Sequence, residues 1–144
     1  MFLGEYQHSL DEKGRVVVPK KFRDALQDGC YVTKGQDRCV FVFTPDRWEA
    51  EMARVAALPR TDRRSRNYAR SFFASASDQG LDGQGRLALS EGVRDYASLD
   101  KDVVVVGVAD RIEIWATDVW AGIQEEADDF YADIEETLAT DGSI

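Results

Sequence analysis

The strongest constraint on the fold of this chain is an internal repeat. Residues 10–19, LDEKGRVVVP, align without gaps on residues 81–90, LDGQGRLALS, and the same offset of 71 places 22–24 on 93–95. Such self-similarity indicates two copies of one structural unit of about 45 residues. A unit of that size is too small to bury an adequate core by itself. We therefore expect the copies to share one core as a pseudo-two-fold pair, with their strands interleaved.

Each copy has the pattern of a small strand-rich unit. An alternating segment leads into an Asp-x-x-Gly-Arg turn, in which Gly14 or Gly85 supplies the positive φ that a tight turn needs. A short apolar strand, a short helix and two further strands follow, and a helix closes the copy. This order predicts a β-rich α+β fold with a first repeat over 5–48, a helical linker over 49–76 and a second repeat over 77–120. The predicted strands lie at 16–18, 30–33, 40–43, 87–89, 103–108 and 112–115.

The closing helices carry clear start and stop signals. The first begins at Thr44-Pro45 and ends by Pro59, and the next begins near Thr61-Asp62. The last begins at Thr117-Asp118 and forms an acidic C-terminal segment over 121–144, whose final four residues are expected to be frayed. Its apolar positions, spaced by three and four residues, predict an amphipathic helix: Trp120, Ile123, Ala127, Phe130, Ile134 and Leu138. Apolar helix faces left over would favour self-association.

The net charge of −9 and the pI of about 4.6 argue at first against a nucleic-acid partner. The charge is segregated, however. Residues 1–71 hold 14 Lys and Arg against 10 Asp and Glu, whereas residues 72–144 hold 4 against 17. The acids concentrate at the C-terminal end: Glu125, Glu126, Asp128, Asp129, Asp133, Glu135, Glu136 and Asp141. A basic surface in the first half can therefore face a polyanion if the acidic helix points elsewhere.

The sequence lacks the residues that several classes of function need. One histidine and two cysteines without CxxC spacing provide neither a metal site nor a nucleophile–base pair, so we expect no enzyme, cofactor or metal. Cys30 and Cys39 are expected to be small buried hydrophobic residues, and His8 to have a structural or surface role. No run approaches the roughly 18 apolar residues of a membrane span, and the N-terminus lacks the pattern of a signal peptide. We therefore expect a cytoplasmic protein with no membrane or small-molecule partner.

The two Asp-x-x-Gly-Arg turns carry the main functional hypothesis. One interpretation is a plain β-turn, in which the aspartate folds back on the backbone and the arginine is merely exposed. A turn needs the glycine but does not need an arginine directly after it twice. Two such turns related by a pseudo-dyad would present Arg15 and Arg86 as paired cations, able to bind phosphate or the O6 and N7 edge of guanine. Neighbouring cations would hold phosphates: Lys13, Lys20, Lys21 and Arg23.

Two further charged segments allow different interpretations. The arginine-rich stretch 60–70 is either a phosphate-binding helix or a solvated face that pairs with the acids of the last helix. The acidic cluster 125–136 lacks the ligand spacing and the glycine of a calcium loop, which favours a solvated helix face. The alternative to DNA binding is a non-enzymatic protein-interaction scaffold that uses this acidic helix.

The repeat, its spacing and the opening phrase FLGEY resemble the MraZ family of bacterial transcriptional regulators over residues 1 to about 120. The resemblance implies tandem AbrB-like repeats of the swapped-hairpin or double-psi-type barrel class. It also implies a ring-shaped homo-oligomer that binds short direct repeats in the promoter of the division and cell-wall gene cluster, its own promoter included. Binding of double-stranded DNA there would block polymerase and repress transcription, with the protein associated with the nucleoid.

The residue roles implied by the resemblance centre on the first turn. Arg15 matches the position that family members use on DNA, Lys13 belongs to the same loop, and Arg86 occupies the equivalent loop of the second repeat. The second copy departs from the first at Gln84 and Ser90, where the first has a lysine and a proline. The second repeat is therefore expected to contribute less charge.

Overall fold

The computed structural model describes residues 1–140, with side chains through Ile134. Strands β1 to β8 span, in chain order, Phe2–Ser9, Arg15–Val17, Cys30–Gly35, Cys39–Phe43, Ser77–Gln79, Arg86–Ala88, Asp102–Ala109 and Arg111–Ala116. Helices α1 to α5 span Lys20–Arg23, Pro45–Ala56, Arg63–Ala74, Glu91–Tyr96 and Thr117–Thr140, and short 3-10 turns span Asp24–Leu26 and Gln36–Arg38. The predicted strand-rich α+β class is confirmed.

Six strands form one antiparallel sheet whose order interleaves the two repeats. The order is β1-β7-β8-β4-β3-β5, so β1 of the first repeat lies beside β7 of the second, and β5 of the second lies beside β3 of the first. Exchanging the copies, β1 with β5, β3 with β7 and β4 with β8, reproduces the same order. The remaining strands, β2 and β6, form a separate antiparallel ribbon with one strand from each repeat. The interleaved, pseudo-two-fold arrangement expected from the repeat is therefore present.

The two faces of the sheet bury two separate clusters, because side chains alternate across a strand. On β7, Val103 and Val105 belong to the first cluster, while Val104 and Val106 belong to the second. The β2–β6 ribbon, α1 and α4 cover the first face through Val16, Val18, Phe22, Leu87, Leu89 and Val93. The longer helices α2, α3 and α5 cover the second face. The ribbon that carries the Asp-x-x-Gly-Arg turns and the acidic helix α5 thus lie on opposite sides of the sheet.

Local capping explains where the helices begin. The side chains of Thr44, Asp62 and Ser90 each accept a backbone N–H two or three residues further on, at 3.3, 3.3 and 3.4 Å. These residues precede α2, α3 and α4. Helix α2 ends at Ala56, shortly before Pro59. The helix starts and the stop predicted from these residues are confirmed.

Helix α5 begins where the sequence predicts, but the sheet covers only the first part of its apolar stripe. Trp120 and Ile123 pack against the second cluster. In contrast, Phe130 is 62% exposed and Tyr131 is 81% exposed. The expectation of an apolar helix face left over is therefore met at Phe130, and the exposed Tyr131 lies next to the predicted stripe. Predictions for Leu138 and for the final four residues fall outside the side chains that the structure describes.

Candidate nucleic-acid interface

Both Asp-x-x-Gly-Arg segments form the predicted turn. In the first copy the N–H of Asp11 donates to the C=O of Arg15 at 2.9 Å, and the N–H of Gly14 donates to the C=O of Asp11 at 3.0 Å. The second copy repeats the two bonds at 3.0 and 2.9 Å. Gly14 and Gly85 have φ angles of 73° and 74°, a left-handed conformation that other residues rarely adopt. The role predicted for the two glycines is confirmed.

In each turn the aspartate also holds the arginine. Asp11 Oδ1 accepts the N–H groups of Lys13 and Arg15, both at 2.9 Å, and Oδ2 accepts Arg15 Nε at 2.7 Å. Asp82 makes the same three bonds in the second turn, at 2.9, 2.9 and 2.7 Å. The plain-turn interpretation is therefore right about the aspartate, but the arginines are held in one orientation rather than merely exposed. The replacement of a lysine by Gln84 changes the charge of the second turn and not its geometry.

The β2–β6 ribbon brings the charged side chains of the two turns close together, although the turns enter it from opposite ends. Its register pairs Arg15 with Ala88 and Val17 with Arg86. Arg15 Nη1 lies 3.9 Å from Asp82 Oδ2 of the other turn. The two cations expected to act together are thus neighbours, although each comes with a carboxylate. We call these four residues, which together have no net formal charge, the turn cluster: Asp11, Arg15, Asp82 and Arg86.

Hydrogen bonds keep both carboxylates of the turn cluster ionised. The backbone N–H of Arg86, followed by its guanidinium, lowers the pKa of Asp82 to about 2. The equivalent groups of Arg15 lower the pKa of Asp11. At neutral pH each turn therefore keeps its ion pair. The side chains of Arg15 and Arg86 are 27% and 28% exposed, which leaves part of each guanidinium accessible to a ligand.

The other predicted cations are of two kinds. Lys13 is exposed in the first turn, and Lys20 and Lys21 are exposed at the start of α1. Arg23 is only partly exposed, and its Nε donates to the C=O of Val18 at 2.8 Å. The three lysines are therefore accessible to solvent, whereas Arg23 is hydrogen-bonded at the end of the ribbon.

Arg94 is a residue of this surface that the site prediction omitted. The offset of 71 between the repeats places it opposite Arg23, and its Nε donates to the C=O of Leu89 at 3.1 Å. Its guanidinium lies over Gly14 of the first turn. The repeat alignment contained the signal that could have found it, because it equates Arg94 with a residue that was included.

The arginine-rich segment forms α3 in the helical layer on the second face of the sheet. Among the described side chains, no carboxylate lies within 4.0 Å of Arg63, Arg64, Arg66 or Arg70. Helix α3 packs on β3, whereas α5 packs on β7 and β8. Pairing with the acids of the last helix is therefore not observed in the described part of the chain, and phosphate binding by α3 stays a prediction.

The chemistry of the remaining candidate residues is structural. Cys30 and Cys39 are free and buried, as expected, and burial raises the pKa of the Cys30 thiol to about 11. Burial, followed by the charge of Arg23, lowers the pKa of His8.

Within the described residues, no group of three His, Cys, Asp or Glu side chains is placed to hold a metal ion. In the same part of the chain, every helix is too short or too polar to cross a bilayer.

Both repeats of the chain are similar to known proteins. A family model described as "MraZ protein, putative antitoxin-like" matches residues 1–71 and again residues 72–141. Similar relatives named transcriptional regulator MraZ occur in Desulfitobacterium hafniense (strain DSM 10664 / DCB-2), at 45% identity over 142 residues and 99% of both chains, and in Natranaerobius thermophilus, at 44% over 138 residues and 96% of both. A third, from Salinispora arenicola, is 46% identical over 136 residues, covering 94% of this chain and 96% of its own.

Proposed function

The chain belongs to the MraZ family, whose relatives are named transcriptional regulators, and we propose that it acts by binding promoter DNA through the β2–β6 ribbon. The observation that carries this proposal is the turn cluster, in which two arginines held in the same geometry are neighbours. One such arginine would be an ordinary surface ion pair. Two in the same geometry on one surface suit a ligand that has repeated acceptors.

The geometry of each turn suits base recognition. Because Asp11 binds Arg15 at Nε, the terminal amino groups of the guanidinium make no hydrogen bond within the described residues, although Nη1 lies 3.9 Å from Asp82 Oδ2. These groups match the O6 and N7 acceptors of guanine in the major groove. The aspartate fixes the side chain before binding, which reduces the conformational entropy lost on binding. Arg15 is the first base-reading residue in this proposal, and Arg86 is the second.

Attraction to the phosphates comes from residues outside the turn cluster, since the cluster has no net formal charge. Lys13, Lys20 and Lys21 supply that attraction, because they are exposed next to the ribbon. Such contacts fix the position of a protein on DNA without reading its sequence. Arg23 belongs to the same phosphate hypothesis, and its Nε is already bonded to the C=O of Val18.

Several subunits are needed for useful affinity. One arginine–guanine contact discriminates by about 1–3 kcal/mol, whereas linked binding sites gain by about 10²–10⁴ in effective affinity. The proposal is a ring-shaped homo-oligomer on short direct repeats in the promoter of the division and cell-wall gene cluster, including its own promoter. The exposed Phe130 and Tyr131 of α5 support self-association, since no described side chain of this chain covers them. Occupancy of the promoter would block polymerase, which gives repression.

The proposal also includes a division of the chain into four units. The units are a first repeat over 5–48, a linker over 49–76, a second repeat over 77–120 and the C-terminal segment 121–144, with each repeat a swapped hairpin of the AbrB-like barrel class. The crossing of strands between repeats supports it. The protein would work in the cytoplasm on nucleoid DNA, without catalysis, a cofactor, a small-molecule substrate or a membrane.

Salt dependence of binding tests this function. We expect the chain to shift DNA from its own upstream region, with log K falling linearly against log salt by about 0.9 for each phosphate contacted. Replacing Lys13, Lys20 and Lys21 with glutamine should make the slope shallower by roughly 3 for each engaged subunit. Shuffled DNA of equal length is the control for sequence preference. A wild-type response that is flat in salt would rule out phosphate binding.

The second candidate is a protein-interaction scaffold based on α5. The described part of that helix presents Asp128, Asp129 and Asp133 to solvent beside Phe130 and Tyr131, a mixture that suits a partner with basic and apolar residues. Recovery of one stoichiometric protein partner, together with no shift of upstream DNA, would favour this candidate over the first.

A further inference from the structure

Each glycine of the two turns lies under an arginine from the other repeat. A Cβ atom built on Gly14 would be 2.7 Å from both Nε and Cζ of Arg94. A Cβ atom on Gly85 would be 2.5 Å from Nε and 2.6 Å from Cζ of Arg23. Both guanidinium groups therefore pack directly on the glycine backbone, and the exchange is crosswise: the second repeat covers the first turn, and the first repeat covers the second.

Hydrogen bonds attach each covering arginine to the same strand end that binds the glycine. Arg94 Nε donates to the C=O of Leu89, and the N–H of Leu89 donates to the C=O of Gly14 at 3.0 Å. In the other half, Arg23 Nε donates to the C=O of Val18, and the N–H of Val18 donates to the C=O of Gly85 at 2.9 Å. Each turn is thus held between a backbone hydrogen bond and a guanidinium, both supplied by the opposite repeat.

The hydrogen bonds that each turn makes by itself are internal to the turn. The residues after each glycine enter strands of only three residues, Arg15–Val17 and Arg86–Ala88, that pair with each other. The bonds between aspartate and arginine lie within one turn and do not fix that turn relative to the sheet. The covering arginine and the backbone bond join the glycine of the turn to the other repeat, and in the first turn they act beside the bond from Leu10 N–H to the C=O of Lys101 at 2.7 Å. They therefore contribute to where the guanidinium of the turn is presented.

We propose that Arg94 is a positioning residue for the turn of Arg15, and that Arg23 is a positioning residue for the turn of Arg86. Arg23 then acts as a brace rather than as a phosphate contact, and each DNA-reading turn depends on one arginine of the opposite repeat. The consequence for DNA rests on the proposed function. The bracing itself does not, and it is tested separately.

Hydrogen exchange of the free protein tests the bracing. Arg94→Gln removes the guanidinium, and Arg94→Lys restores the charge but not the planar group that covers the glycine. Both variants should speed exchange at least about tenfold in the 10–15 segment while leaving 81–86 near the wild-type rate, because local exchange reports local opening. Arg23→Gln and Arg23→Lys should produce the reverse pattern and serve as matched controls. Equal acceleration in both segments, or acceleration within the same repeat, would overturn the bracing.

A double-mutant cycle on upstream DNA tests the consequence. Arg94→Lys should weaken binding although it keeps the charge, and the pair Arg94→Lys with Arg15→Ala should bind no more weakly than Arg15→Ala alone, since the two residues act through one contact. Wild-type affinity for Arg94→Lys, or losses that add in the double variant, would instead identify an independent phosphate contact. If the wild-type protein fails to bind this DNA, the proposed function is wrong, and the exchange pattern still decides the bracing.

Discussion

Replacing Arg15 with alanine is expected to weaken binding to upstream promoter DNA by about 5- to 150-fold at each engaged site. The range follows from the loss of a guanidinium that Asp11 holds with its terminal amino groups available. Folding should change little, because the lost ion pair is a surface pair and such pairs contribute little stability. The measurement is fluorescence anisotropy of labelled upstream DNA at fixed salt, with a thermal melt of each variant.

Two matched variants sharpen this experiment. Arg86→Ala removes the same side chain from the second turn, which has the same three bonds to its aspartate, and should show a smaller loss in the same direction. Arg54→Ala removes one positive charge from α2 on the other face of the sheet, where the guanidinium pairs with Glu51, and should leave the affinity unchanged. A folded Arg15→Ala protein with wild-type affinity would remove Arg15 from the interface.

Replacing Leu87 with alanine is expected to destabilise both repeats together. Leu87 is 1% exposed and lies opposite Val16 of the first repeat in the β2–β6 ribbon. A buried Leu→Ala change costs about 2–5 kcal/mol, because apolar contacts are lost and a cavity forms. The Tm should fall by on the order of 10 °C. A single transition should persist, since the first cluster takes side chains from both repeats.

The measurement is thermal unfolding followed both by circular dichroism and by tryptophan fluorescence. Leu3→Ala provides the matched control, because Leu3 is 63% exposed and its truncation should change stability by no more than about 0.5 kcal/mol. Two separate transitions in Leu87→Ala, with only the second repeat weakened, would contradict the shared core.

Local elements of the fold were predictable because their signals lie within a few residues. Gly14 and Gly85 marked the turns, and Thr44, Asp62 and Ser90 marked the helix starts through their own side-chain bonds. The repeat also indicated that strands of the two copies would interleave. The sequence could not show which strands pair. The alternating pattern of β1 would suit an edge position in any sheet, and its pairing with β7 depends on contacts about 100 residues away in the chain.

The extent of contact along α5 was not predictable from its spacing. Apolar positions continue past Ile123 at helical intervals, which indicates a face but not what covers it. Trp120 and Ile123 meet the second cluster, whereas Phe130 is past the part of the helix that the cluster reaches. Periodicity defines the apolar side of a helix, and the width of the sheet decides how much of that side is buried.

The candidate site was predicted in part. Sequence repetition identified Arg15 and Arg86, and the structure places them as neighbours. The sequence did not indicate that Asp11 and Asp82 neutralise the two arginines. An aspartate that only forms a turn and an aspartate that also pairs with a charge have the same sequence pattern. Arg94 was omitted although the offset of 71 equates it with Arg23, which was included. Only its contact with Gly14 was beyond the alignment, because that contact depends on the exchange of positions between the repeats.

The sheet separates the acidic and basic parts of the chain in space. The net charge of −9 opposes DNA binding only if the acids face the DNA. The acids of α5 up to Asp133 are carried on the face opposite the ribbon, whereas Lys13, Lys20 and Lys21 lie with the turns. An acidic protein can therefore present one DNA-binding surface.

Hydrogen exchange of the full chain, measured with its upstream DNA and with shuffled DNA of the same length, tests the central claim most directly. We expect slower exchange in 11–23 and 82–94 with upstream DNA, a weaker effect with shuffled DNA, and no change over 117–134. Slower exchange confined to 117–134, or equal patterns with the two DNA sequences, would contradict it.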